Sequence, residues 1–381
     1  MSRADAQGAT ADGVAEQLPG QMAFPGWEPD PGPACGASPG DGQPVLPGMD
    51  DASLARPAAE PDAELDRVAT ALRAADPDFS GIATAIRSAF DLLLDGQHTG
   101  RYRWDQLHKT EKTHAGTLVE IGIQRRLGLA DGAALDYSIA GVEVDCKFSH
   151  RSGGWMIPPE AADQLMLLVH ASDDEGTWSA GLLRARQSCL REAGNRDLKR
   201  ALNDGGRATI RWLVRGAALP ENVLLRLAER DTAAIFGCPP GQRRVNELFR
   251  RALGRRVSRA VVATVAMQDD YMKRVRAGGG ARDQLRDEGI VIFGDYAGHQ
   301  ALAAALGLPV PGPGEFVSAR LARCGTASDG PAPDADASGG GAGRAAGGRY
   351  VRLGGADWAL AVEAAVEVAV EVAPAPRLPR V

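Results

Sequence analysis

The sequence predicts an α/β domain of about 150 residues followed by a smaller, mainly α module of winged helix-turn-helix type. Three observations predict it. Residues 62–127 carry apolar side chains at helical spacing, residues 135–214 change to two-residue alternation, and residues 243–293 return to short basic helices ahead of one more strand. Helices leading into a mixed sheet read as α/β, and short basic helices with glycine turns read as a helix-turn-helix relative.

The first helix spans Asp62–Ala74, with Leu65, Val68, Ala69 and Leu72 on one stripe and Asp62 at the N-cap. A second runs from Ser80 to Leu94 through Ile82, Ile86 and Phe90, and Asp95-Gly96 breaks it. A third, from Thr113 to Leu127, stops at Gly128 and buries Ala115, Leu118 and Ile121. Leu135–Ile139 and Val142–Phe148 alternate about Ala140-Gly141, a hairpin signal. Leu165–His170, Gly181–Leu183 and Thr209–Val214 are further short strands, separated by a basic helical piece at 185–203. In the second module, Arg243–Leu253 is amphipathic, Ser258 caps a helix to Met267, and Tyr271–Val275 and Ala281–Asp287 are short helices before the strand Ile290–Phe293.

Residues 1–60 are crowded with Pro, Gly, Ala and Asp without apolar periodicity, and are expected to be a disordered N-terminal extension. Residues 324–381 are expected to be a low-complexity C-terminal tail, in which Ala361–Val372 is either a weak helix or a biased tract. The ordered units are therefore 61–215 and 222–323.

The 381 residues, 44% of them apolar, suffice for two cores. No apolar run reaches the roughly 18 residues of a membrane span, and the N-terminus lacks a signal-peptide layout. The five cysteines are scattered and never spaced as C-x-x-C, which argues against a disulfide framework or zinc site and for a reduced cytoplasm. The net charge of −6 is unevenly spread: residues 1–60 carry nine acids against two bases, whereas residues 241–286 carry twelve bases against four acids. A local excess of +8 suits phosphate neutralisation.

The chemistry-bearing pattern is Asp136-x8-Asp145-x-Lys147. Residues two apart on a strand share a face, so Asp145 and Lys147 stand side by side, and the hairpin returns Asp136 beside them. Two carboxylates brought together repel, and oxygen ligands with open water positions suit Mg²⁺. Such a site hydrolyses phosphodiesters, with Lys147 orienting or deprotonating a water and its pKa lowered beside a metal. Glu120, at the edge of the buried side of the third helix, adds a third carboxylate. Glu143 shares the face of Asp145 but lies further from Lys147. No nucleotide cofactor is expected.

Lys109 and Lys112 are phosphate-contact candidates where the chain enters the helix of Glu120, while His108 and His114 read as capping or core residues, with phosphate contact as the alternative. Arg255, Arg256, Arg259, Arg282 and Arg286 are candidates for DNA contacts in the second module. Gly278-Gly-Gly280 is either a phosphate cradle or a plain turn. Leu93-Leu94-Asp95-Gly96 looks like the Lys-x-Asp-Gly motif of nucleotidyl-transferring ligases with leucine at the nucleophile position, which excludes that chemistry.

Asp136…Asp145-Cys-Lys147, the preceding Lys112-Thr-His-Ala-Gly-Thr-Leu-Val-Glu120 and Leu94-Asp-Gly-Gln-His-Thr-Gly-Arg101 together resemble the NaeI-type restriction endonucleases (type IIE), over roughly residues 61–323. The resemblance implies a homodimer with a restriction-endonuclease-like domain and a catabolite-activator-like helix-turn-helix domain. It implies Glu120, Asp136, Asp145 and Lys147 as the catalytic set, the three acids binding Mg²⁺. It further implies double-stranded DNA bound in two copies, with cleavage at a palindromic, G/C-rich site only when both are in place. Two alternatives are a repair nicking endonuclease using the same site and a DNA-binding regulator on an inactive nuclease fold.

Overall fold

The computed structural model describes residues 61–324, 342–345, 348–361 and 374–379. The expected disordered extension, 1–60, and nearly all of the 361–372 repeat lie outside the described residues.

Helix α1 (Ala63–Ala75) opens on Asp62, whose carboxylate accepts the Leu65 amide at 3.1 Å, the expected cap. Helix α2 (Ser80–Leu94) buries Ile82, Ile86 and Phe90 and ends at Asp95, φ 46°. A one-turn helix, α3 (Gly96–Thr99), follows. Helix α4 (Lys109–Leu127) starts four residues before the expected Thr113, because the Glu111 carboxylate accepts the His108 amide at 2.8 Å and satisfies an otherwise open donor. Its buried stripe is Ala115, Val119 and Ile123, facing α2, in place of the expected Ala115, Leu118 and Ile121.

The strands that follow are β1 (Ala130–Asp131), β2 (Tyr137–Ile139), β3 (Val142–Ser149), β4 (Met156–Ile157), β5 (Leu165–Ser172), β6 (Thr177–Arg184), β7 (Leu190–Gly194) and β8 (Arg200–Leu202). A short helix, α5 (Asp204–Ala208), precedes β9 (Arg211–Ala218). The main sheet has the order β1-β2-β3-β5-β6-β9; only β3 and β5 are parallel. Strands β2 and β3 form the expected hairpin, with Ala140 and Gly141 at φ 51° and 74°.

One sheet face, with Val144, Cys146, Leu165 and Leu167, packs on Ile82, Ile86, Phe90 and Val119 of the helices. The other face, with Met166, Leu168 and Leu183, is covered by Trp155, Ile157, Leu190 and Leu202 from a small sheet of order β4-β8-β7. Covered on both sides, β5 is buried throughout, as its unbroken apolar run requires. The basic helix expected at 185–203 is instead a 3₁₀ turn (Gln187–Cys189) followed by the β7–β8 hairpin. Over that span only Ala185, Cys189, Leu190 and Leu202 are buried, with every residue from 191 to 199 exposed, so no continuous apolar stripe of helical period exists to dock a helix.

Beyond Pro220 the elements are α6 (Glu229–Gly237), α7 (Gln242–Arg251), β10 (Arg256–Ser258), α8 (Arg259–Ala266), α9 (Ala281–Gln284), β11 (Ile290–Gly294), α10 (Ala297–Ala305) and β12 (Glu315–Arg323). Ser258 caps α8 by accepting the Val261 amide at 3.2 Å. Val245, Leu248, Phe249, Val262, Leu285 and Ile292 form a second core. Phe316 of β12 pairs with Val257 of β10 and with Gly294 of β11, so β12 lies between them.

The described parts of the expected tail are structured: β13 (Ala342–Ala345), β14 (Gly348–Leu353) and β15 (Ala356–Leu360) extend the sheet through β15 pairing with β12. Val351, Trp358 and Ala359 are buried, and Gly354-Gly355 turns the hairpin at φ 60° and 77°, which explains the order despite the biased composition. Among the described residues no helix is long and apolar enough to cross a membrane, and Cys146, Cys189, Cys238 and Cys324 are unbridged.

Candidate active site

Alternation along β3 sends Val144 and Cys146 into the helical core and Asp145 and Lys147 to the opposite face. The Lys147 Nζ lies 2.6 Å from Asp145 Oδ2 and 3.8 Å from Asp136 Oδ2. Asp136 stands one residue before β2, and its Oδ2 accepts the Cys146 amide at 2.6 Å, which fixes it beside the centre of β3. Glu120 enters from α4. The helix is tied to the hairpin here, because the Tyr137 hydroxyl donates to the Glu120 carbonyl at 2.8 Å. Asp136, Asp145 and Lys147 therefore meet at one place, and Glu120 lies near enough to feel the charge of all three.

The electrostatics follow from three acids around one ammonium. Burial, reinforced by the charges of Asp136 and Asp145 and only partly opposed by Lys147, pushes the Glu120 carboxyl up to about 7. Asp145, only 7% exposed, is also raised by burial, against the pull of Lys147; Asp136 and Glu160 add to the rise. Burial alone would lower Lys147, yet the bond to Asp145 and the fields of Asp145 and Asp136 hold it above its ordinary value. The lowered lysine pKa expected from the sequence thus does not arise from the protein's own charges.

Glu143, the competitor for Asp145, has another task. Its carboxylate accepts the amides of Ala133, Ala134 and Leu135 at 2.8–3.0 Å and so shapes the loop that presents Asp136. These bonds lower its pKa. Sequence reasoning missed this role, and it missed Glu160, which acts on Asp145 from the turn between β4 and β5. The Asn195-centred hairpin turn beyond β7 was hidden by the charges around it.

Among the described residues, no three metal-ligating side chains are gathered as they stand into a ready ion site. The donor set nevertheless fits a hard divalent cation. Three carboxylates share a single ammonium, and burial, with the charges of Asp136 and Asp145 added to it, raises the Glu120 carboxyl, a cost that a cation at this place would relieve.

The other basic candidates are scattered. Lys109 is exposed and Lys112 half-buried, both in the first turn of α4. Exposed His108 stands at the N-cap of α4, and His114 is exposed on it. Arg255 pairs with Glu221 at 2.8 Å and Arg256 with Glu315 at 3.7 Å. Arg259 is exposed at the start of α8. Arg282 turns inward, donating from Nε to the Ile292 carbonyl at 3.1 Å and lying 5.7 Å from the Tyr296 ring centre. Arg286 is half-buried, and its carbonyl accepts the Ala375 amide. Gly278 and Gly279 donate to the Asp283 carboxylate, which occupies the cradle a phosphate would need.

Comparison with known proteins gives a consistent result. The model of the family described as restriction endonuclease NaeI matches residues 66–348. The chain is 51% identical over 271 residues to the type II restriction enzyme NaeI of Lentzea aerocolonigenes, covering 69% of this chain and 85% of that protein.

Proposed function

The chain belongs to the NaeI restriction endonuclease family, and on that footing we propose that it is a type II restriction endonuclease working through Asp136, Asp145 and Lys147 with Glu120. The substrate is double-stranded DNA at a specific site, palindromic and G/C-rich by the family resemblance. The observation that carries the reading is the placement of Lys147 Nζ 2.6 Å from Asp145 and 3.8 Å from Asp136, with the α4 carboxyl near enough to feel all three charges.

In this reading Asp136, Asp145 and Glu120 would hold Mg²⁺, which would supply Lewis-acid polarisation of the phosphate and acidify the attacking water. Asp136, held by the Cys146 amide, keeps its second oxygen available without losing position. Lys147 orients the water and offsets charge that develops on the phosphate oxygens. Glu143 preserves the loop on which Asp136 depends.

The second module is a winged helix-turn-helix that binds a further DNA copy and stimulates cutting, in a homodimer. Supporting it are the order helix, strand, helix, helix, strand, helix, strand from α7 to β12, and the central place of β12 between β10 and β11.

Purified protein with plasmid DNA and Mg²⁺ tests the proposal. Wild type cuts at discrete sites, and Asp145→Ala and Lys147→Ala lower the rate at least about a hundredfold. Absence of wild-type cleavage on site-rich DNA would sink the activity, and cleavage persisting in both variants would sink the site. A single-site plasmid cut no faster when a second site is added in trans counts against stimulation by the second module.

A further inference from the structure

The β7–β8 hairpin is unlike the rest of the surface. Its base is fixed, since Leu190 and Leu202 pair and are 5% and 0% exposed. They pack with Met166 and Leu168, the β5 residues in register with Asp145 and Lys147. The hairpin therefore stands on the sheet face that carries the catalytic strand residues. From Arg191 to Lys199 every residue is exposed.

The turn at its end is built, not slack. Asn195 Oδ1 accepts the amides of Asp197 and Lys199 at 3.0 and 2.9 Å, its amide donates to the Lys199 carbonyl, and its carbonyl accepts the Leu198 amide. This arrangement holds Leu198 at φ 59°, a left-handed conformation unfavourable for leucine, with 69% of its surface in water. Neither packing nor burial within the chain compensates that conformation. Lys199 follows Leu198, Arg196 precedes it with Asp197 between them, and Arg191 stands lower on the hairpin; none of these three bases enters an ion pair among the described residues. Arg200, by contrast, is anchored to the Arg191 carbonyl and Gln187.

We propose that this hairpin is a DNA-reading element of the nuclease half, which enters a groove beside the cut site with Arg196 and Lys199 on the phosphates and Leu198 against the bases. A two-stranded ribbon fits the major groove, and an exposed apolar tip between cations matches base edges flanked by phosphates. The strain is then compensated in the complex, where the tip gains its contacts. The inference rests on the proposed DNA substrate.

Wild type, Leu198→Ala, Leu198→Gly and the double variant Arg196→Gln/Lys199→Gln are compared for duplex binding against salt, cleavage, thermal midpoint and molecular mass. The double variant weakens binding to cognate and random duplexes alike and flattens the slope of log Kd against log salt by about two. Leu198→Ala leaves that slope unchanged and lowers cognate cleavage about tenfold. Leu198→Gly shows the same loss with an unchanged or higher thermal midpoint, because glycine accepts the turn without strain. A structural role would move stability and activity together, and that outcome overturns the proposal. So do wild-type binding and salt slope in all variants, or a change in molecular mass, which would make the tip a subunit contact. The binding measurements decide the matter even if wild type cuts nothing, a result that would sink the proposed activity alone.

Discussion

Glu120 is where the site's unbalanced charge is felt, and its ionisation should be visible in the stability of the metal-free protein. Its folded pKa, about 7, exceeds the ordinary 4.5, so the folded state binds more protons between those values. The contribution is fully present below pH 4.5 and is lost as pH rises through 7. Glu120→Gln removes this fall. Thermal midpoints measured from pH 4.5 to 8 without metal check it: a wild-type minus variant difference that stays flat across the window refutes the charge-deficit account. At the same scale, Glu143→Gln weakens three amide contacts on the loop before Asp136 and should lower cleavage on the order of tenfold, mainly in kcat. An unchanged kcat would show that Asp136 is held by the Cys146 amide alone. The alternation of β3 made Asp145 and Lys147 legible in the sequence. Glu143 was not, because its partners are backbone amides that only the closed loop brings within reach.

Among the elements, α4 does two jobs: Val119 and Ile123 pack in the core while Glu120 stands at the margin of the same stripe. Ile123→Ala should destabilise the protein by about 2–5 kcal/mol, measured by denaturant unfolding, and lower activity below what the folded fraction accounts for. Activity that simply tracks the folded fraction would mean that α4 need not be positioned finely. The helix itself was legible from its Gly128 stop, but its buried stripe was displaced by the apolar Leu118 and Ile121, which are only half-buried. The β7–β8 hairpin was misread as helix for a related reason. Its exposed strands carry charge without alternation, so only the Asn195 turn distinguishes it. In β14–β15, the Gly354-Gly355 turn was present in the sequence but overshadowed by the Gly/Ala tract before it.

Across the whole molecule, the nuclease half and the second half meet through named contacts and not through a bare linker. Asn222 donates to the Tyr102 carbonyl at 3.0 Å, and Tyr102 stacks on Phe236 with ring centres 5.0 Å apart. Arg226 donates to the carbonyls of Asp173 and Asp174, beside Arg87, which is buried against Asp173 and Asp91. Neither seam was legible, since Asn222 reaches Tyr102 across 120 positions and Arg226 reaches Asp173 across 53. The tightest is α3 on α8: a Cβ added at Gly96 would overlap Thr264 Oγ1 and come within 2.9 Å of the Arg101 carbonyl. Gly96→Ala should therefore cost about 1–3 kcal/mol, and Thr264→Ala in the same chain should recover part of it. Additive losses in calorimetry would place the strain elsewhere. The contact also sets a rule for recombination between relatives. A chimera inherits a working seam only if the residues facing positions 96 and 264 travel together, so exchange of either half alone selects for small side chains at both.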